Sequence, residues 1–204
     1  MKSAFQNFMA ECPAIAILRG ITPDETEQVC DALFNAGLRL LEIPLNSPEP
    51  FISIQRAAAH CGTRMMVGAG TVLTRNDVLK VQQAGGKFIV SPNTEPEVIQ
   101  ATKQAGMVSI PGFFTASEGF MAIQAGADYL KLFPSILGPT YIKDLKAVIK
   151  TPILAVGGVN TGNISSFMKV CDGVGIGSAI YTPGKALAEI EASARIIAKA
   201  VTGK

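Results

Sequence analysis

Two charged residues interrupt otherwise apolar segments of this chain: Lys131 within YLKLFP and Glu42 within LRLLEIPL. Burial disfavours the charged form of a side chain, so it lowers the pKa of a lysine and raises the pKa of a glutamate. A neutral lysine amine attacks ketones and forms a Schiff base, which accepts the electrons of a breaking bond. A glutamate with a raised pKa is suited to proton transfer near neutral pH. The two residues together predict chemistry on a carbonyl compound.

The same residues also have a purely structural interpretation. Lys131 and Glu42 could form a buried salt bridge with each other, or Glu42 could pair with Arg19, which lies at the end of another apolar run. The residue types alone leave these possibilities open. We expect Lys131 and Glu42 to share one pocket, both as catalytic groups and as a buried pair.

Glycines follow two late apolar runs, where they allow an anion to approach the backbone. Gly157 and Gly158 follow PILAV, and Gly177 and Ser178 follow GVGI. Gly177 and Ser178 end the last run before the final helix, which Pro183 is expected to open, and the free amides and dipole of a helix N-terminus favour an anion. These turns predict a phosphate site, and the alternative is that Gly157 and Gly158 form only a tight turn. Neither a GxxxxGKS loop nor a convincing dinucleotide fingerprint is present.

The residues that could do chemistry lie on a regular series of short apolar runs. Centres of successive runs are roughly 20 to 26 residues apart, which leaves room for one helix and two turns. The runs are continuously apolar, which is typical of parallel strands that are covered on both faces. They are AIAILRG (14–20), LRLLEIPL (38–45), MMVGAG (65–70), KFIVSP (87–92), MVSIPGF (107–113), YLKLFP (129–134), PILAVGG (152–158) and GVGIGS (173–178).

Eight strands alternating with eight helices predict an α/β fold, a single (β/α)8 TIM barrel that spans residues 1–204 as one domain. An open, doubly wound sheet is the alternative. A short N-terminal helix, with Phe5, Phe8, Met9 and Cys12 on one face, is expected to cover the bottom of the barrel. In this fold chemistry occurs at the carboxyl ends of the strands, where the charged residues and the glycine turns lie.

Threonine and glutamate three residues apart predict the starts of several helices. In such a capping box, the threonine hydroxyl and the glutamate carboxylate accept hydrogen bonds from free amides of the first turn. The cases are Thr22 with Glu25, Thr94 with Glu97, and Thr115 with Glu118.

Composition excludes several classes of function. Of the 204 residues, 48% are apolar and 17% are charged, so the chain can bury a large core and is not disordered. The net charge of +2 without a basic cluster argues against a nucleic-acid partner. No apolar run is long enough to span a membrane, and no secretory signal is evident, so we expect no membrane partner. The single histidine, His60, excludes a multi-histidine metal site, and four scattered cysteines suggest a reducing cytoplasm.

Several segments, in order along nearly the whole chain, resemble the class I 2-keto-3-deoxy-6-phosphosugar-acid aldolase family. They are AILRGITPDE (16–25), LEIPLNSP (41–48), VGAGTVL (67–73), FIVSPN (88–93), LKLFP (130–134), GPTYIKDLKAV (138–148) and AVGGVN (155–160). The resemblance implies a homotrimeric barrel that acts on a phosphorylated keto-sugar acid without a metal or other cofactor.

The resemblance also implies roles for individual residues. Lys131 corresponds to the Schiff-base lysine and Glu42 to the acid/base, while Arg19 and Thr71 correspond to substrate contacts. The glycine turns correspond to the phosphate site, which consists of Gly157, Gly158, Gly177 and Ser178.

Two positions resemble the galactonate branch of the family rather than the gluconate branch. Gluconate-type enzymes usually carry an arginine where this chain has Asn46 and a threonine where it has Val156. Without that arginine, Arg19, Thr71 and the backbone around Pro92 are the candidates for binding the substrate carboxylate. We therefore expect cleavage of 2-dehydro-3-deoxy-6-phosphogalactonate to pyruvate and glyceraldehyde 3-phosphate.

Other functions stay open from the residues alone. One is a gluconate-type or dual-specificity aldolase, and another is a phosphosugar isomerase or epimerase that uses Glu42 without a covalent Lys131. The third is a non-catalytic barrel that binds a phosphosugar and holds Lys131 and Glu42 as a buried pair.

Overall fold

The computed structural model describes residues 1–203, and within them nine parallel strands form one sheet. The strands are Ala14–Ile17 (β1), Leu40–Pro44 (β2), Met66–Gly70 (β3), Phe88–Val90 (β4), Val108–Ile110 (β5), Gly112–Phe113 (β6), Leu130–Leu132 (β7), Ile153–Val156 (β8) and Gly173–Ile176 (β9). Every strand is buried along its whole length, as expected for parallel strands covered on both faces.

The sheet curves into a near-closed barrel. Its order is β5-β4-β3-β2-β1-β9-β8-β7-β6, so the first and last strands are neighbours. Ile15 in β1 is paired with Leu40 in β2 on one side and with Gly175 in β9 on the other. Each strand therefore lies beside its neighbours in the chain, which confirms the barrel in outline and excludes the open, doubly wound sheet.

One expected strand is divided in two. The run at 107–113 was expected to be continuous, but Pro111 separates β5 from β6 because proline has no backbone N–H to donate to a neighbouring strand. β5 pairs with β4 and β6 pairs with β7, so the chain itself joins the two ends of the sheet. The Pro111 carbonyl still accepts a hydrogen bond from the Lys131 N–H at 2.9 Å, which continues the contact towards β7.

Helices cover the outside of the barrel, and one helix covers its base. In the described part of the chain they are Lys2–Glu11 (α1), Thr26–Asn35 (α2), Pro50–Cys61 (α3), Arg75–Gln83 (α4), Pro96–Gln104 (α5), Ala116–Gln124 (α6), Gly138–Val148 (α7), Ile164–Met168 (α8) and Leu187–Thr202 (α9). None of these helices, within residues 1–203, has both the length and the apolar character that crossing a membrane requires.

The expected N-terminal helix is present and seals the base of the barrel. Phe5 of α1 is fully buried, and its ring centre lies 5.4 Å from that of Phe88 and 5.0 Å from that of Tyr129. These rings belong to an inner core, which also contains Ile15 and Leu40. The inner core therefore fills the lower barrel and leaves the carboxyl ends of the strands for a site.

Of the three capping predictions, one is confirmed. Thr115 and Glu118 form a complete capping box at the start of α6. Thr22 does not cap α2, whose N-cap is Glu25, although its N–H and its hydroxyl both donate to Oε1 of Glu25. Thr94 does not cap α5, whose N-cap is Glu95; its hydroxyl instead donates to the Gly112 carbonyl at 2.8 Å. The Thr94 hydroxyl therefore bonds to a residue that is distant in the sequence rather than to the first turn of α5.

We predict that Phe5→Ala lowers the free energy of unfolding by about 3–5 kcal/mol, because it leaves a cavity among the aromatic rings at the barrel base. Phe8→Ala, on the half-buried side of the same helix, is the matched control and is expected to cost on the order of 1 kcal/mol. Urea denaturation of the two variants measures both values. Equal losses would contradict the sealing role of Phe5.

Candidate active site

The barrel brings Lys131 and Glu42 to one interior space from two different strands. Lys131 lies in the middle of β7 and Glu42 in the middle of β2, and they are only 5% and 3% exposed. Both line a small apolar space of about 10 Å³ inside the barrel, which we call the inner chamber, with Ile110 and Leu154 among its walls. Lys131 also lines a wider cavity of about 540 Å³, which we call the mouth cavity. The expected common pocket is therefore present.

Neither charged residue is neutralised by a direct contact. Within residues 1–203, no salt bridge joins Glu42 to Lys131 or to Arg19, and the Glu42 Oε2 atom is buried without a hydrogen-bond partner. Nη1 of Arg19 instead donates to Oδ1 of Asn46 at 3.0 Å. Both salt bridges considered from the sequence are therefore absent from the described residues, and the two groups stay free to act on a bound molecule.

Desolvation dominates the titration of both side chains. Burial raises the pKa of Glu42 above its ordinary value, although the charges of Lys131 and Arg19 oppose that rise. Burial lowers the pKa of Lys131; the Glu42 carboxylate opposes this change and the Arg19 guanidinium adds to it. The structure thus favours a neutral amine and a protonated carboxyl group more than water would, which is the condition for nucleophilic and acid/base chemistry.

Two glycines in β3 leave space for neighbouring side chains, and one of these side chains is Glu42. A Cβ atom on Gly70 would lie 2.7 Å from Oε1 of Glu42 and 2.9 Å from its Cδ. A Cβ on Gly68 would lie 2.4 Å from the Phe88 ring. The position of Gly70 at a strand end was expected from the sequence, but its contact with Glu42 was not, although a glycine at every second position of a strand signals a close approach on one face.

Thr71 follows Gly70 in an unusual backbone conformation. Its φ of 56° lies in the left-handed region, where a β-branched side chain costs on the order of 1–3 kcal/mol. Strain of this kind is found where the surrounding structure fixes a residue for a functional reason. Thr71 does not line either cavity, but it directly follows the residue that contacts the Glu42 carboxylate.

The loops after β1 and β2 are joined to each other at the rim of the barrel. In addition to the bond between Arg19 and Asn46, the Gly20 N–H donates to the Ser47 hydroxyl at 2.9 Å. Arg19 lines the mouth cavity, whereas Asn46 reaches it only through Arg19. The asparagine therefore orients the guanidinium.

Pro92 lies outside both cavities but constrains their surroundings. A Cβ on Gly112 would lie 2.4 Å from the Pro92 carbonyl carbon and oxygen, so the loop after β4 is packed tightly against β6. Val156, in contrast, ends β8 on the wall of both the inner chamber and the mouth cavity.

The predicted glycine turns form one side of the mouth cavity. Gly157 and Gly158 have φ values of 87° and 79°, which suit glycine alone. The backbone N–H groups of Gly157, Gly158, Gly177 and Ser178 donate to no acceptor in residues 1–203. Four unpaired amides thus line one cavity wall, and backbone N–H groups that lie together in this way are the kind of donor that binds anions.

The final helix begins after Pro183, the residue expected to open it, rather than at it. Residues 177–181 form a single turn, in which the N–H groups of Ile180 and Tyr181 donate to the Gly177 carbonyl at 2.9 and 3.0 Å, and α9 begins only at Leu187. The four unpaired amides therefore belong to turns rather than to the N-terminus of a long helix.

The mouth cavity has further lining residues that the sequence did not single out for a role. They include Phe133, whose ring centre lies 4.7 Å from Nζ of Lys131, together with Asn160 and Tyr181. The Tyr181 hydroxyl donates to Oε1 of Glu25 at 2.9 Å and so ties the turn after β9 to the loop before α2. Among the described residues, no group of three or more histidine, cysteine, aspartate or glutamate side chains could hold a metal ion.

Comparisons with known proteins agree on one family. The family model for KDPG and KHG aldolase matches residues 5–198. A "Probable 2-dehydro-3-deoxy-6-phosphogalactonate aldolase" of Rhizobium meliloti (strain 1021) is 44% identical over 184 residues, which are 88% of this chain and 87% of the relative. The 2-dehydro-3-deoxy-6-phosphogalactonate aldolase of Escherichia coli (strain K12) is 42% identical over 197 residues, 95% of this chain and 96% of the relative. A solved structure described as "Native KDPGal structure" superposes with a TM-score of 0.91 at 42% identity and covers 94% of this chain and 95% of its own.

The charges around Lys131 predict opposite effects of two substitutions on its reactivity. Glu42→Gln removes the carboxylate that raises the pKa of Lys131, so the fraction of neutral amine should rise at a lower pH than in the unmodified protein. Arg19→Gln removes a cation that lowers this pKa, so the same rise should move to higher pH. Reductive methylation of Lys131 with formaldehyde and borohydride, followed across pH by peptide mapping, measures the midpoints.

The exposed Lys150, whose Nζ donates to the Lys146 and Ala147 carbonyls, serves as the internal control in the same digests, and its extent of methylation at each pH should be the same in both variants. Midpoints for Lys131 that shift in the same direction in both variants would contradict the electrostatic account.

Proposed function

Because the chain belongs to the KDPG and KHG aldolase family, we propose that it cleaves 2-dehydro-3-deoxy-6-phosphogalactonate to pyruvate and D-glyceraldehyde 3-phosphate through a Schiff base on Lys131. One observation carries the proposal. A lysine that is 5% exposed, with a lowered pKa, opens onto a cavity that is large enough for a phosphorylated sugar acid. The galactonate substrate is taken from the relatives that share 42–44% of the sequence.

Lys131 begins the reaction as a neutral amine. Its nitrogen attacks the C2 ketone, and the resulting carbinolamine loses water to give a protonated imine. The apolar walls around the lysine favour the neutral nucleophile before the attack, because they penalise the ammonium form. The positive imine then provides an electron sink next to the bond that has to break.

Glu42 transfers the protons. Its carboxylate, directly or through a water molecule, removes the proton of the C4 hydroxyl while the C3–C4 bond breaks and its electrons move into the imine. Glyceraldehyde 3-phosphate leaves, and the remaining enamine takes a proton at C3 with Glu42 as the relay. Hydrolysis of the imine releases pyruvate and regenerates Lys131. The unpartnered Oε2 atom and the raised pKa of Glu42 support this role.

The turns after β8 and β9 would hold the phosphate group. The unpaired amides of Gly157, Gly158, Gly177 and Ser178 line the mouth cavity, in which Lys131 also lies. Binding a phosphate remote from the reacting carbons orients the substrate at Lys131, so its binding energy contributes to turnover as well as to affinity.

Arg19 is the side chain we assign to the substrate carboxylate. It is the arginine that lines the mouth cavity, and Asn46 fixes the direction of its guanidinium through the 3.0 Å hydrogen bond. Thr71 and the backbone around Pro92 are assigned as further substrate contacts from the family resemblance. Both follow strand ends on the same side of the barrel as Lys131.

The finer architecture is also part of the proposal. Counting β5 and β6 as one strand interrupted at Pro111 gives eight barrel strands, each followed by a helix. A single domain, a homotrimer and a cytoplasmic location stay predictions from the sequence and the resemblance. Exposed apolar side chains near the barrel mouth, Ile136 at 71% and Leu137 at 53%, are consistent with contact to another subunit.

Trapping with borohydride tests the covalent step. Incubation with pyruvate and borohydride should add one reduced pyruvyl group to the protein, and peptide mapping should place it on Lys131. Lys131→Met should abolish both trapping and cleavage, because residues 1–203 place no other amine in the inner chamber. Its melting temperature should be unchanged or higher, since methionine removes a buried amine at similar volume.

Lys150→Met is the matched control, because it removes an exposed lysine, and it should trap pyruvate and cleave substrate normally. Cleavage that persists in Lys131→Met would refute the mechanism. An unmodified protein, with a known Schiff-base aldolase trapped in parallel, would favour an isomerase, an epimerase or a binding protein.

Val156 is expected to set the preference between the two C4 epimers. Its apolar side chain is 7% exposed on the cavity wall, where a threonine hydroxyl could pair with a substrate hydroxyl. A buried hydrogen bond contributes about 0.5–1.5 kcal/mol, so Val156→Thr should shift the ratio of kcat/KM for the gluconate epimer to that for the galactonate epimer by about threefold to tenfold towards gluconate.

Val159→Thr provides the control for this experiment, because it introduces the same hydroxyl three residues later on the wall of the mouth cavity. Assays of both epimers with each variant give the two ratios. A ratio that does not move in Val156→Thr, or that moves equally in Val159→Thr, would remove Val156 from this role.

A further inference from the structure

The hydroxyl of Ser135 links the end of β7 to the end of β8 through two hydrogen bonds. Ser135 is 3% exposed and lies just after β7. Its Oγ donates to the Leu132 carbonyl at 2.9 Å and accepts a hydrogen bond from the Val156 N–H at 2.9 Å. The Ser135 N–H also donates to the Val156 carbonyl at 2.9 Å. A single serine therefore holds the ends of both strands.

The register of the two strands shows what this hydroxyl replaces. Leu132 is paired with Ala155, and the Leu130 N–H donates to the Pro152 carbonyl. Continuation of this parallel ladder would join the Val156 N–H directly to the Leu132 carbonyl. The Ser135 hydroxyl bridges these two groups, so it is inserted where the next bond of the ladder would form.

The link made by Ser135 lies between Lys131 and the proposed phosphate-binding turn at Gly157 and Gly158. Lys131 directly precedes Leu132, and Gly157 directly follows Val156. Phe133 spans the same gap: its ring centre lies 4.7 Å from Nζ of Lys131, and a Cβ on Gly157 would be 3.3 Å from its ring. The relative position of the amine and the phosphate-binding turn therefore depends on how β7 and β8 are held at this point.

We propose that Ser135 is a positioning residue, which sets the spacing between Lys131 and the amides of Gly157 and Gly158. This inference rests on the proposed function. Without the hydroxyl, the Val156 N–H and the Leu132 carbonyl either bond directly, which draws the strand ends together, or stay unpaired in a buried place. Both outcomes change the distance between the Lys131 amine and the amides of Gly157 and Gly158, which one substrate molecule has to span.

A half-reaction separates this role from a general loss of stability. Exchange of the C3 hydrogens of pyruvate with deuterated water needs the imine and proton transfer, but no group at the phosphate turn. Cleavage of the full substrate needs both ends at once. A misplaced turn therefore lowers cleavage much more than exchange, whereas partial unfolding lowers both in the same proportion.

We expect Ser135→Ala to lower kcat/KM for cleavage of the phosphorylated substrate by about tenfold or more. Pyruvate exchange measured by NMR on the same preparation should change by no more than about twofold. Thr102→Val is the matched control, because Thr102 is another fully buried residue, whose hydroxyl donates to the Val98 carbonyl within α5, remote from the cavities. It should leave the ratio of cleavage to exchange unchanged.

Ser135→Cys provides a second, milder variant in case the alanine variant does not fold. A thiol is longer and a weaker hydrogen-bonding group than a hydroxyl, so the ratio of cleavage to exchange should fall in the same direction by a smaller factor. A folded Ser135 variant with an unchanged ratio overturns the proposal, and so does an equal loss of both reactions. Failure of the unmodified protein to exchange pyruvate would instead overturn the Schiff-base function itself.

Discussion

Removal of Lys131 and Glu42 from water is the constraint on which the rest of this structure depends. Each is almost fully buried, and neither makes a salt bridge within the described residues, so the fold carries the cost of desolvating both. That cost is tolerated because the barrel is packed with apolar side chains on the inside and against its helices. Gly70 has no side chain and therefore leaves space for Glu42. The aromatic rings around Phe5 close the base of the barrel to water.

Much of the fold and the centre of the site could be predicted from the sequence. Continuous apolar runs separated by helix-length segments identify parallel strands, and a charge inside such a run stands out because it has no place in an apolar core. The rule that barrel enzymes act at the carboxyl ends of strands then brings Lys131, Glu42 and the glycine turns to one face. Thr115 was assigned correctly because its capping partner is only three residues away and no other group competes for its hydroxyl.

The features that escaped prediction depend on contacts between strands that are distant in sequence. Thr94 donates to Gly112 rather than to its own helix, and the space beside Glu42 belongs to a glycine in the next strand. The bridge made by Ser135 is visible only when the register of β7 and β8 is known, since a serine after a strand is unremarkable by itself. Local patterns thus give the elements and their order, while the register between elements decides how the side chains at the site are held.

The pairing of β1 with β9 has a consequence for how the protein is made. Ile15 finds its partner in Gly175, so the barrel cannot close until almost the whole chain has left the ribosome. Before that moment the edges of β1 and of the newest strand are open, and contacts of such long sequence separation are the slow ones to form. Glu42 emerges early and Lys131 late, and the pocket that changes their ionisation exists only after the last strand has entered the sheet. Burial of Lys131 beside Glu42 and completion of folding are therefore one event.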